Sequence, residues 1–208
     1  MKFESLDIVV FTTTAPESID RQNRIRQYLA NASITDYKFH TCDIGKYLPM
    51  PSGIDLKLPS YYDHAMAFAD VLKSDRDILF LEDDVIIDNN FKEQVDYHLS
   101  IIPKDFFIFV GGHNFAQNYV PQHQCFGTVD YFYGMQCMVI RAAKAKSLIN
   151  AIYDGSIFAL CNREGIDNAL SPWCRTMDYG LYVAREPFAP QAAGYSIIRS
   201  EYRDIYRV

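Results

Sequence analysis

The chain has 208 residues, 49% of them hydrophobic and 22% charged, a balance that excludes a disordered, collagenous or disulfide-stapled protein. Lys and Arg total 20 against 26 Asp and Glu, giving a formal net charge of -6, the wrong sign for a protein devoted to non-specific nucleic-acid binding. Aromatic residues are plentiful, with 15 Tyr and 14 Phe, a stock that serves pockets for flat or sugar-like ligands as well as a wet-edged core.

The N-terminal segment, beginning Met1-Lys2-Phe3, has no basic region leading into an apolar stretch and a small-residue cleavage site, so no signal peptide is expected. No apolar run approaches the ~20 residues of a membrane span. Cys42, Cys125, Cys137, Cys161 and Cys174 include no CxxC pair, which argues against a zinc knuckle and for reduced thiols in a cytoplasmic protein. One soluble domain is expected.

In chain order, the apolar run 6–11 reads as a buried strand that passes through Thr12-Thr13-Thr14 into a loop. Ile25, Tyr28, Leu29 and Ala32 recur at helical spacing and predict a helix over 20–31. Residues 37–43 predict a second strand, and the prolines at 49, 51 and 59 a loop. Ser60 with Asp63 predicts a capping box opening a helix whose Tyr61, Ala65, Phe68, Ala69 and Leu72 share a face. Residues 78–81, apolar on both faces, predict a central parallel strand. Asn90 and Glu93 open a further helix that Pro103 stops, and 106–110 form a strand ended by Gly111-Gly112. After a stretch of short aromatic and polar segments, 134–140 predict a strand, 142–152 a helix, 165–170 a short helix and 181–184 a strand. The alternation predicts an α/β fold with a mainly parallel sheet flanked by helices.

The segment Leu81-Glu82-Asp83-Asp84-Val85 is the most informative. Three carboxylates follow directly on a buried strand, at the carboxyl edge where open α/β sheets bind ligands. If the extended backbone continues, Glu82 and Asp84 project to one side and Asp83 to the other. Converging carboxylates call for a cation, and a hard divalent ion such as Mn²⁺ or Mg²⁺ would bridge them to a diphosphate. A solvated acidic turn capping the next helix would use the same residues. An aspartyl-phosphate phosphatase would need Asp-x-Asp followed by Thr, and a receiver domain would carry its acid pair on the first strand; neither is present.

Taken together, these segments resemble the family 25 glycosyltransferases, which include lipooligosaccharide and collagen-modifying galactosyltransferases. Ile8-Val9-Val10-Phe11 precedes a helix bearing Arg21 and Arg24. Phe39-His40-Thr41-Cys42-Asp43 is similar to a strand ending in Asp-Gly, with Ile44 in place of Gly. Tyr62-Asp63-His64-Ala65 is similar to a Ser-His helix, with Asp63 in place of Ser, and Leu81 to Val85 matches the acidic motif letter for letter. The 134–140 segment resembles a Gly-x-x-x-Tyr strand without its Tyr, Asp167 and Leu170 an Asp-x-x-Leu element, and Pro190, Gln191 and Ser196 a terminal motif.

The resemblance implies a single GT-A-like, Rossmann-like domain, with a nucleotide-binding half over 1–112 and an acceptor-side half over 113–208. It implies metal-dependent, inverting transfer from a nucleotide sugar, UDP-linked in expectation, to an acceptor hydroxyl. Asp167 is the expected base, with Glu164 as its alternative. Asp84 is the expected metal ligand, assisted by Glu82, with His113 as a further ligand. Thr12, Thr13, Asp43, Glu82 and Asp83 would hold the nucleotide, and Arg21 or Arg24 its diphosphate. Arg199, Arg203 and Arg207, if helical, form a stripe for an acidic acceptor or a solvated face. The expected acceptor is a cell-surface glycan precursor. A hydroxylated base of virus-type modified DNA and a non-catalytic nucleotide-sugar-binding module are the alternatives.

Overall fold

The computed structural model of the chain describes residues 1–196 and 201–203. Strand β1 (Asp7–Thr13) leads into helix α1 (Ser18–Asn31), followed by β2 (Lys38–Cys42), α2 (Pro59–Val71), β3 (Ile78–Glu82), α3 (Phe91–Ile101) and β4 (Phe106–Gly112). Four short strands follow: β5 (Phe115–Gln117), β6 (Val120–Pro121), β7 (Phe126–Thr128) and β8 (Tyr131–Tyr133). Then come β9 (Cys137–Ile140), α4 (Ala142–Tyr153), α5 (Ile166–Thr176), β10 (Gly180–Ala184), β11 (Gly194–Ser196) and β12 (Glu201–Arg203).

The central sheet has eight strands in the order β2-β1-β3-β9-β4-β10-β7-β6. β1 pairs in parallel with both β2 and β3, and β4 with β10. β9, from the second half of the chain, lies antiparallel between β3 and β4. The apolar runs follow from burial on both faces. Val9 and Phe11 of β1, with Ile78 and Phe80 of β3, enter one core beneath α2, α4 and α5. Their neighbours Ile8, Val10, Leu79 and Leu81 enter a second core beneath α1 and α3. Each helix supplies one apolar stripe: Ile25 and Leu29 from α1, Phe91, Val95 and Leu99 from α3, and Ala65, Phe68 and Ala69 from α2.

Four local expectations change. The Ser60–Asp63 capping box is absent: α2 starts at Pro59 after Leu58, with no side-chain cap. Asp63 is fully buried and accepts hydrogen bonds from the backbone N–H of Gly45 at 2.7 Å and of Tyr47 at 2.8 Å, so it pins the turn after β2. Helix α5 runs on past Pro172 to Thr176, because Ala169, Leu170, Trp173 and Cys174 all bury against the core and outweigh the proline. The 134–140 strand is confined to β9, since Gly134 sits at φ +89 in a turn. At the C-terminus, residues 201–203 form a strand paired antiparallel with β11, not a helix. The helical spacing therefore does not apply at Arg203; Arg199 and Arg207 lie outside the described residues. All five cysteines are free, and among the described residues no helix is long and apolar enough to cross a membrane.

Candidate functional site

At the carboxyl ends of β1 and β3 the structure forms a cleft, walled on its far side by α2, the 133–136 turn and the start of α5. β3 loses its extended form after Glu82. The Asp83 N–H donates to the Phe11 carbonyl at 3.0 Å, and the Val85 N–H closes a turn onto the Glu82 carbonyl at 3.2 Å. Glu82, Asp83 and Asp84 consequently all line the same cleft, where an extended chain would have split them between two sides.

Each carboxylate is held differently. The Thr12 hydroxyl donates to Asp83 Oδ2 at 2.6 Å. Arg21, from the first turns of α1, places Nη1 at 3.4 Å from Asp83 Oδ1 and 3.4 Å from Asp84 Oδ2, so a guanidinium lies between the two buried acids. Gln191 Nε2 donates to Asp84 Oδ2 at 2.7 Å, and Asn114 Nδ2 donates to Gln191 Oε1 at 2.5 Å. Main-chain bonds from Ile86 N–H to Pro190 and from Ala192 N–H to Asp84 lock that segment against the acidic turn. Asp84 Oδ1 is buried with no hydrogen-bond partner. Burial, then repulsion from Glu82, pushes the Asp84 carboxyl well above the usual carboxylate range despite Arg21. Burial also raises Asp83, against the Thr12 and Arg21 bonds.

Glu82 faces the opposite wall. Its Oε2 accepts from Gln136 Nε2 at 3.2 Å, and its Oε1 stands 3.5 Å from the buried Nε2 of His64 on α2. The neighbouring turn needs glycine, since Gly134 has positive φ and any Cβ there would strike the Gln136 amide. Asp167, in the first turn of α5, fixes that turn: Oδ2 accepts the Gly134 N–H at 2.7 Å and Oδ1 accepts the Asn168 N–H at 3.0 Å. Burial raises the Asp167 carboxyl, outweighing those two bonds and helped by the charge of Glu82.

Of the residues singled out from sequence, Thr12, Thr13, Arg21, Glu82, Asp83, Asp84 and Asp167 share the cleft. Arg24 lies exposed on α1, and Asp43 lies exposed beyond β2. Neither lines the cleft. Glu164 is off the lining; its Oε1 is 3.5 Å from Lys57 Nζ, and it accepts a 3.4 Å bond from the Tyr61 hydroxyl. His113 is buried, with Nε2 at 3.1 Å from the Ala184 carbonyl, and does not face Asp84 across the cleft. Among the described residues no group of three or more His, Cys, Asp and Glu side chains is arranged to hold a metal ion. A metal in this cleft would draw on fewer protein ligands, with Asp84 and Glu82 the candidates and ligand oxygens completing its shell, a pattern usual for Mg²⁺. The orphaned Asp84 Oδ1 and the all-oxygen donor set fit such an ion.

Asn114, Tyr133 and Gln136 also line the cleft and were not among the residues expected from sequence. Their signals were slight but physical. Gln136 is a polar residue set between the apolar Met135 and Cys137, and it is almost fully buried. Asn114 lies two residues past Gly112, at the carboxyl edge of a buried strand, the edge that ligands use.

No protein-family model matches the chain, and no curated protein matches it. Among solved structures, the chain is similar to mouse xyloside xylosyltransferase 1 in its apo form, at 10% sequence identity and a TM-score of 0.47, over 86% of this chain and 84% of that one. It is also similar to a glycosyltransferase involved in the glycosylation of the major capsid of PBCV-1, at 10% identity and a TM-score of 0.38, over 86% of this chain and 94% of that one.

Proposed function

We propose that the protein is a metal-dependent glycosyltransferase that moves a sugar from a nucleotide-sugar donor to an acceptor hydroxyl with inversion. The observation that carries this reading is the acidic turn: three carboxylates at the carboxyl edge of β3, interleaved with Arg21, with one buried Asp84 oxygen lacking a partner. The cleft is open to solvent and joins these acids to Arg21, Asn114 and Gln191 on one side and to Tyr61, Tyr133 and Asp167 on the other, a few convergent polar groups in a concave site.

Asp84 and Glu82 would hold a Mn²⁺ or Mg²⁺ ion, which when bound neutralises charge on the departing diphosphate. Arg21 lies beside the same acids and can swing one donor toward a phosphate without leaving Asp83. Thr12 and Thr13, at the end of β1, wall the nucleotide side of the cleft, with the Thr12 hydroxyl held by Asp83 and the Thr13 hydroxyl by Ser18, bonds that a nucleotide would have to exchange for its own. Asp167 faces them across the cleft as the base. As the acceptor oxygen bonds to the anomeric carbon, the bond from that carbon to the phosphate oxygen breaks, and the acceptor proton passes to Asp167. A raised pKa suits that task, since a stronger base takes the proton more readily.

Asp167→Asn separates an enzyme from a binding module. With a nucleotide sugar and Mn²⁺, release of free nucleotide should fall about 10²- to 10⁴-fold, the range of a lost general base, while donor affinity stays at the wild-type value. Wild-type protein that binds donor but releases no nucleotide, with or without added sugars, would make this a module without turnover.

A further inference from the structure

Beside the cleft, β5 and β8 form a separate two-stranded antiparallel sheet with Phe115 opposite Tyr133, Ala116 opposite Phe132, and Gln117 opposite Tyr131. Strand alternation sends Phe132 and Ala116 inward, and Phe132 is fully buried against α5 and its neighbours. The other face carries Phe115, Tyr131, Tyr133 and Gln117. Phe115 is 50% exposed, and the two tyrosines are partly exposed. Their rings form a continuous patch, with centroids 6.5 Å apart for Phe115–Tyr131, 6.1 Å for Phe115–Tyr133 and 5.6 Å for Tyr131–Tyr133.

This patch opens into the cleft. Tyr133 belongs to both, and the Asn114 N–H donates to its carbonyl at 2.8 Å while the Asn114 side chain reaches Gln191 and, through it, Asp84. Inward Phe132 anchors this two-stranded sheet to the core. An exposed aromatic cluster at the lip of a polar cleft marks a binding surface. Gln117, on the same strand face, is partly buried, with its side-chain amide oxygen tucked in and without a hydrogen-bond partner. Charge narrows the choice of ligand. The four residues of the face are uncharged, and Asp130, next to Tyr131, is paired with Arg175 at 2.7 Å. A phosphate-rich polymer would want unpaired cations here. A sugar ring, with apolar C–H faces to lie on aromatic rings and hydroxyls that stay in water or reach the polar cleft, matches the face.

Building on the glycosyltransferase reading, we infer that the β5–β8 face is the acceptor platform and that the acceptor is an uncharged carbohydrate, stacked on Phe115 and Tyr131 with one hydroxyl directed past Tyr133 into the cleft. The test is saturation-transfer NMR on the whole chain with methyl β-glycosides of galactose, glucose, mannose and xylose, with lactose, and with a single-stranded oligothymidylate. At least one saccharide should bind. Phe115→Ala and Tyr131→Ala should each weaken it by about tenfold, the scale of one well-placed aromatic contact. Phe115→Tyr should keep wild-type affinity, and unchanged thermal unfolding of the two alanine variants excludes a folding defect as the cause. Binding of no saccharide, unchanged affinity in both alanine variants, or binding of the oligothymidylate to this face would each overturn the assignment. Thermal shift with nucleotide sugars on the same samples separates the two readings: donors that bind while saccharides do not remove only the platform, and donors that never bind remove the glycosyltransferase itself.

Discussion

Asp167 does two things at once. Its carboxylate fixes the Gly134 turn through one N–H bond and its own helix start through another, and it still lines the cleft. A base must be deprotonated to act, so turnover should be lost as pH falls through the raised Asp167 pKa, with an acid limb centred above the ordinary value of about 4. A pH profile of kcat/KM should show that limb in the wild type, and the residual rate of Asp167→Asn should lack it. A limb at the ordinary carboxylate value, or one preserved in the variant, would assign the proton to another group. Asp63 makes the contrasting case of an acid with a structural task. Removing it in Asp63→Ala deletes two charge-assisted bonds to the Gly45 and Tyr47 N–H groups, which can partly rehydrate because Gly45 is exposed. The expected loss is about 2–3 kcal/mol by urea unfolding, and a change below about 0.5 kcal/mol would contradict the role.

At the scale of elements, the strand ends decide what the cleft can be. Gly112, the last residue of β4, has no room for a side chain, because a Cβ there would strike the Ala189 carbonyl. The same close approach holds the 188–192 segment that delivers Gln191 to Asp84. Gly112→Ala should destabilise the protein by about 1–3 kcal/mol, the usual cost of overpacking, and weaken donor binding along with it. Donor affinity that survives while stability drops would uncouple the segment from the site. These elements show why part of the site was legible in the sequence. The apolar runs of β1, β3 and β4 are buried on both faces, so their strands and the ends where the apolar run stops, at Thr12, Glu82 and Gly111-Gly112, stand out by composition alone. The far wall does not. Tyr133 and Gln136 reach the cleft only because Gly134 turns at positive φ and β9 inserts antiparallel between β3 and β4. No local pattern records that insertion. Asp63 misled for a related reason: its spacing from Ser60 has the form of a cap, while its partners lie 16 and 18 residues away.

Across the whole molecule, one sheet keeps two cores apart and gathers its polar residues at one edge. Residues from β1, α1 and the β3 turn meet those from α2, α5 and 190–191 there, so the site draws on nearly the full length of the chain. The alternation of strands and helices made this α/β arrangement legible from sequence. The order of the central strands was not, since the antiparallel place of β9 rests on pairing between residues some 60 apart along the chain, such as Ile78 with Ile140. Most of the negative charge in the cleft is concentrated in the acidic turn and countered by Arg21, so a ligand bringing both phosphate and a divalent cation meets complementary groups. Thermal stability of the wild type and of Asp84→Ala with a panel of nucleotide sugars, each with Mn²⁺, Mg²⁺ or EDTA, is the most direct measurement. One nucleotide sugar should stabilise the wild type by about 2.7 kcal/mol at 100 times its Kd, only with metal, and the shift should vanish in Asp84→Ala. No shift with any donor, or an equal shift in EDTA and in Asp84→Ala, would contradict a metal-dependent nucleotide-sugar site at the acidic turn.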